Sequence, residues 1–155
     1  MSAASDFFEN KWVDFFFRGQ ALGITGASAG AGTGPTTLYV ALFTAAPSDT
    51  GGGTEVTGGS YARASVTSSL ANWAGTQGAG TTTVSSGTGG QTSNNNNVTF
   101  PAPTANWGIV THYGVFDAAS GGNLLFHNAL GASKTVNNGD AAPAFPPGSL
   151  TFTVA

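Results

Sequence analysis

Charge is what this sequence has least of. Only 7% of its 155 residues are charged, against about 25% in ordinary globular domains. The four basic residues and the net charge of −3 leave no electrostatic footprint for nucleic acid or an anionic membrane surface, so both drop out as partners. Cysteine is absent, which excludes disulfides, thiolate metal sites and a cysteine nucleophile while leaving the redox compartment open. No apolar run approaches the roughly 18 residues of a membrane-spanning helix, and the N-terminus shows no apolar signal region with a cleavage site. A chain of this length buries about 68–70% of its unfolded surface and needs no metal or disulfide staple.

What the sequence does have is glycine, threonine, serine and asparagine for solvation, and a dense aromatic cluster near its start. Five of its charged residues (Asp6, Glu9, Lys11, Asp14 and Arg18) lie in the first eighteen positions. A surface so poor in charge fits either a compact, robust β domain or a subunit that sits among other subunits, because interface cores are depleted in charge.

Residues Ser5 to Arg18 predict one helix. Ser5 or Asp6 supplies a cap, Asp6 and Glu9 stand at capping-box spacing, and Gly19 provides a stop. At 100° per residue Phe8, Trp12, Phe15 and Phe16 share one quadrant, Val13 and Phe17 extend the apolar arc, and Phe7 falls outside it. Lys11, Asp14 and Arg18 are expected opposite, toward solvent. The aromatic load has two readings: docking of the helix on its own domain, the simpler one, or insertion into a neighbouring subunit. On the second reading Phe7, Phe8, Trp12, Phe15, Phe16 and Phe17 are the candidate subunit-interaction residues.

Three parts follow from composition: an N-terminal helical arm (1–19), a Gly/Ala/Ser-rich flexible linker (20–34) and a β domain (35–155) carrying a low-complexity surface loop (75–97). The stretch from Trp107 to Leu130 organises the β domain. Period-two alternation from Trp107 to Phe116, a turn cluster from Asp117 to Gly122, and Leu124-Leu125-Phe126 predict a hairpin. Neither of its faces is cleanly polar, so it is expected at the centre of the domain with both sides covered. Further strands are expected at 37–43, 61–70, 81–86, 98–100, 133–136 and 149–154, and Pro143, Pro146 and Pro147 exclude regular structure before the last. About eight short strands after one helix predict an all-β, jelly-roll-like β-sandwich, with an open Greek-key barrel or a smaller sandwich as alternatives.

Catalytic chemistry has little to work with. Gly26-Ala-Ser28-Ala-Gly30 matches the serine-hydrolase elbow in letters, but no strand precedes it and no helix follows. His112 and His127 are near cross-strand neighbours that lack a third metal donor, so histidines satisfied within a sheet are the simpler reading. Asp49 and Asp117 belong to turns, and Glu55 and Arg63 are expected to pair across a turn, with little effect if exposed. The Asn97-Val98-Thr99 sequon carries no weight without a signal peptide. The chain reads as a non-enzyme with no cofactor.

Three blocks carry a family resemblance: Thr37-Leu-Tyr-Val-Ala-Leu-Phe-Thr-Ala-Ala-Pro47, Gly53-Thr-Glu-Val-Thr-Gly-Gly-Ser-Tyr-Ala-Arg63, and Phe100-Pro-Ala-Pro103 followed by Trp107 to Phe126. With the amphipathic helix they resemble a family of small structural proteins of tailed bacteriophages, often labelled tail fibre proteins. Some members are similar to jelly-roll cement proteins that decorate podovirus capsids. The resemblance implies a virion protein assembled in the bacterial host cytoplasm. It would be a cement protein bridging the major capsid protein and copies of itself, as a dimer or trimer, or alternatively a tail or tail-fibre component involved in host attachment. A carbohydrate-binding or hydrolytic domain shares the fold class, but the chain lacks a carboxylate pair and a defensible array of exposed tryptophans.

Overall fold

The computed structural model describes residues 4–24 and 34–154. The linker residues 25–33, including the Gly26–Gly30 motif, lie outside the described residues. The fold is all-β and sandwich-like, with one helix and several antiparallel sheets, as the strand pattern predicts. Nine strands are assigned among the described residues: β1 (Thr37–Ala45), β2 (Thr54–Glu55), β3 (Ala64–Thr67), β4 (Gln91–Ser93), β5 (Val98–Thr99), β6 (Gly108–Phe116), β7 (Leu124–Val136), β8 (Ala144–Phe145) and β9 (Thr151–Thr153), after helix α1 (Asp6–Arg18).

The chain divides into two compact units. One draws on Met1–Thr36, Thr67–Asn97 and Phe145–Ala155, and the other on Thr37–Val66 and Val98–Ala144. The second unit is built on a sheet ordered β2-β1-β6-β7, with β3 also paired to β1. β1 and β6 run antiparallel, Tyr39 facing Phe116 and Phe43 facing His112. Ala41, Phe43 and Phe116 are buried together, with Tyr39 and Leu124 packed against them. Gly114 lies in this cluster because a Cβ there would come 2.8 Å from Leu124 Cδ1 and 3.0 Å from Phe43 Cε2.

The β6–β7 hairpin forms where the alternation places it, but it is not central. β7 is the sheet edge, and most of it beyond His127 is exposed. The reason is visible in its composition: after Phe126 the strand is mostly small or polar residues, which gain little from a covering layer. β7 also runs on to Val136, absorbing the separate strand expected at 133–136. Val110 faces Lys134 and His112 faces Ala129, so Leu130, Gly131, Ala132 and Ser133 stand against the single residue Thr111 as a large bulge, and a second shift leaves Leu125 unpaired between Leu124 and Phe126.

The first unit holds α1, the two-stranded pair β4–β9, and the loops between them. Gln91 faces Thr153, Thr92 faces Phe152 and Ser93 faces Thr151. Its interior gathers Val13 and Phe17 of α1 with Trp73, Leu150 and Phe152. Phe17 meets the Trp73 ring at 5.1 Å, edge-on, and stacks on Phe152 at 5.0 Å.

Several local expectations are corrected. The strand expected at 61–70 shortens to Ala64–Thr67, residues 81–86 form no strand, and β8 occupies Ala144–Phe145 between prolines. The low-complexity stretch ends in β4, with Thr92, Ser93 and Asn94 buried. Glycine and threonine content hides this strand from periodicity because its apolar partner, Phe152, is supplied by the far end of the chain.

Candidate functional site

Helix α1 starts and stops where its sequence directs. Ser5 has extended backbone, and its hydroxyl accepts a hydrogen bond from the Phe8 N–H at 3.4 Å. Gly19 takes the left-handed conformation at φ 65°. The helix docks within its own unit, as the simpler reading expected, but through a face turned toward Asp14 and Arg18, keeping only Val13 and Phe17 of the expected arc inward. Asp14 and Arg18, expected toward solvent, are buried along with Val13, Phe17 and Glu9.

The Arg18 guanidinium pairs with Asp14 at 2.6 Å and donates to the carbonyl of Trp73 at 3.0 Å, to Ser85 Oγ at 3.1 Å, and to the carbonyls of Thr81 and Thr83. Asp14 in turn accepts from the Ser85 N–H and hydroxyl, at 2.9 and 2.6 Å. An ion pair removed from water is tolerated when its remaining donors and acceptors are filled, and here loop backbone fills them. The charged face of α1 is therefore the clamp that holds residues 81–85, a segment with almost no apolar side chains to hold itself.

The consequence is an exposed aromatic row. Phe7 is 58% and Phe8 41% exposed, and Trp12, Phe15 and Phe16 are half-buried. Phe8 stacks on Trp12 at 6.0 Å, Trp12 on Phe15 at 6.2 Å, and Phe16 leans on Trp12 at 4.7 Å. The Lys11 ammonium lies 5.9 Å from the Phe7 ring. Of the six candidate interaction residues, Phe8, Trp12, Phe15 and Phe16 make up this row, and Phe7 is exposed beside Lys11 outside it. The sixth, Phe17, is wholly buried in the core of its own unit, because at 100° per residue it lies on the side that carries Val13.

A second cluster lies in the other unit. Arg63 grips Glu55 through Nε and Nη2, both at 2.8 Å, and donates through Nη1 to the carbonyls of Ala118 and Gly121 at 2.9 and 2.8 Å. Its guanidinium carbon lies 3.6 Å from the centre of the Phe116 ring. The hydrogen bond to the Glu55 carboxylate holds the Arg63 pKa above its ordinary value. The Tyr61 hydroxyl accepts from the Leu42 N–H at 2.9 Å and donates to Glu55 at 3.0 Å, and burial holds its phenol well above the usual range. Clefts of about 380 and 310 Å³ flank the Arg63–Glu55 pair, but its two charged groups are already spent on each other and on backbone. The pairing across a turn was legible from the sequence. The reach of Arg63 to the β6–β7 turn and the Phe116 ring was not, because those partners lie more than fifty residues away.

The two histidines are diagonal neighbours on one face of the β6–β7 pair, as expected, but each is bonded elsewhere. His112 faces Ala129 while His127 faces Gly114. His112 Nδ1 bonds to the hydroxyl of its neighbour Thr111 at 2.8 Å, and His127 Nε2 bonds to Asp49 at 3.1 Å. Asp117 accepts from the Asn123 side chain and backbone, both at 2.7 Å, and those bonds lower its pKa. Among the described residues no three His, Cys, Asp or Glu side chains group as metal ligands. In the Asn94–Asn97 stretch Asn94 is buried while Asn96 and Asn97 are exposed. Asn94 bridges to the Pro146 carbonyl and the Leu150 N–H, and Asn95 and Asn96 donate to Thr81 and to Ala71 and Asn72.

The chain is all-β, pairs Asp14 with Arg18 and Glu55 with Arg63, and carries a stacked aromatic row along its helix. It belongs to the family described as podophage GP4 fiber I protein gp80, whose model matches residues 3–153. It is accordingly a structural protein of the phage virion, the class that the three sequence blocks resemble. No curated protein matches the chain.

Proposed function

We propose that the protein is a non-enzymatic subunit of the phage tail fibre, attached to its virion partner through the outward aromatic row of α1. The observation that carries this reading is the turned helix: Glu9, Asp14 and Arg18 are buried while Phe7 and Phe8 are exposed and Trp12 and Phe15 are only half-buried. Aromatic residues dominate the anchor positions of protein interfaces. The fibre assignment draws its support from the family description. A role without catalysis draws on the scarcity of titratable groups and on the internal pairing of those that lie beside clefts.

A second reading is favoured by a different observation. The described elements are one 13-residue helix and strands of 2 to 13 residues, without the heptads or repeats of a fibrous shaft. On this reading the protein is a cement on the outer capsid shell, bridging major capsid proteins, where repetition over a lattice multiplies modest contacts.

The ratio of this chain to the major coat protein in purified virions, measured by quantitative mass spectrometry, tests the proposal. A ratio far below one supports the fibre. A ratio comparable to the coat protein overturns it in favour of the cement.

A further inference from the structure

Asn138-Gly139 is the one step in this chain where glycine follows asparagine. Glycine has no Cβ to shield its backbone nitrogen, and that nitrogen can attack the side-chain amide before it. In the reaction the Gly139 nitrogen bonds to Asn138 Cγ, the bond from Cγ to Nδ2 breaks, and the nitrogen's proton leaves with the ammonia. Water then opens the cyclic imide at either carbonyl and leaves aspartate or isoaspartate. The only co-reactant is solvent water.

Both residues are exposed, at the tip of a turn closed by the Asp140 N–H on the Asn137 carbonyl at 3.2 Å, with Gly139 at φ 80°. Water therefore reaches the Asn138 side chain. The attacking nitrogen, in contrast, is held. The Gly139 N–H donates to the carbonyl of buried Pro103 at 3.0 Å. The Asn138 N–H donates to Asn106 Oδ1 at 2.8 Å, and the Asn137 N–H to Asp140 Oδ2 at 2.7 Å. Ring closure requires the Gly139 nitrogen to give up its proton and its peptide plane to swing toward Cγ. These bonds oppose that swing.

We propose that Asn138 is the deamidation site of this chain, and that the fold suppresses the reaction by keeping the Gly139 N–H on Pro103. Conversion then runs through the opened turn. A virion protein is not replaced after assembly, so a slow covalent change accumulates in it. Each conversion adds a negative charge beside Asp140 to a chain whose net charge is −3. Isoaspartate also lengthens the backbone next to Val136, whose carbonyl holds the Trp107 N–H at 2.9 Å. The inference does not depend on whether the protein sits on a fibre or on a capsid.

Incubation of the full chain at mildly alkaline pH, folded and in urea, followed by tryptic mass mapping, tests it. Lys134 is the last lysine or arginine, so the final peptide, Thr135 onward, carries Asn137 and Asn138 as its only asparagines. Fragment spectra separate the two. In urea the amide-to-acid mass gain should appear at Asn138 ahead of every other asparagine. In the folded chain it should be slower by about tenfold or more, since reaction from an open state scales with the population of that state. Asn106→Ala frees the Asn138 N–H and should quicken conversion of the folded chain while leaving the rate in urea unchanged. Equal rates in the folded and unfolded chain overturn the proposal. So does earlier conversion at another asparagine in urea, and both results are read on the unaltered protein.

Discussion

Asp14 and Arg18 stand one turn apart on α1 and meet at 2.6 Å, with Arg18 wholly buried. That pair decides which way the helix faces. Its polar groups are worth burying because residues 81–85 offer carbonyls, an N–H and a hydroxyl at the right places, and the aromatic side is left outward as a result.

Breaking the pair should therefore be costly. Arg18→Ala leaves the Asp14 carboxylate buried with one partner fewer and strips three loop carbonyls of their donor. A loss of about 3–5 kcal/mol is expected in urea unfolding. Adding Asp14→Asn to Arg18→Ala should cost less than the two single substitutions summed, since the members of one network couple.

The two faces of α1 should respond differently to the same truncation. Phe17→Ala empties a buried site between Trp73 and Phe152, and should cost about 3–5 kcal/mol. Phe8→Ala, at a position 41% exposed, should change stability by about 1 kcal/mol or less. If the outer row is the virion contact, Phe8→Ala together with Trp12→Ala should fold but be depleted from purified particles, scored by immunoblot.

Arg63→Lys keeps the charge but loses the fork on Glu55 and the flat contact with Phe116. About 1–3 kcal/mol of destabilisation is expected. Because Nη1 also holds the Ala118 and Gly121 carbonyls, hydrogen exchange should quicken in the β6–β7 turn more than in β1.

Tyr61 makes the alkaline limb of stability testable. Burial raises its folded pKa above the ordinary 10.0, so the folded state holds this proton more tightly than the unfolded chain does. The associated stability is fully present below the unfolded value and declines as pH rises past about 10. Melting curves of the unaltered protein and Tyr61→Phe between about pH 8 and pH 11 should converge toward high pH. A constant gap across that range would contradict the assignment.

The sequence by itself determined a good deal. Period-two runs with glycine-rich breaks specify β1, β6 and their turns, because alternation exposes one set of side chains to each face regardless of what covers it. The capping serine and the left-handed glycine bound α1 to within a residue, since both act through bonds to their own helix. The paucity of charge and the absence of cysteine set expectations about partners and metal chemistry before any fold was known.

Only the tertiary structure decided which faces those elements turn inward. Hydrophobic periodicity ranks the faces of a helix by apolar content, and it ranked the face bearing Phe8, Trp12 and Phe15 first. It is blind to carbonyls 55 to 65 residues away that offset the burial of Arg18. The same blindness put β7 at the centre of its domain, whereas its position at the edge follows from which strands pair. β4 went unseen because three polar residues become a strand only when β9 arrives to complete their hydrogen bonds. Local rules act through the chain's own neighbours, and each of these outcomes rests on a partner brought in by the fold.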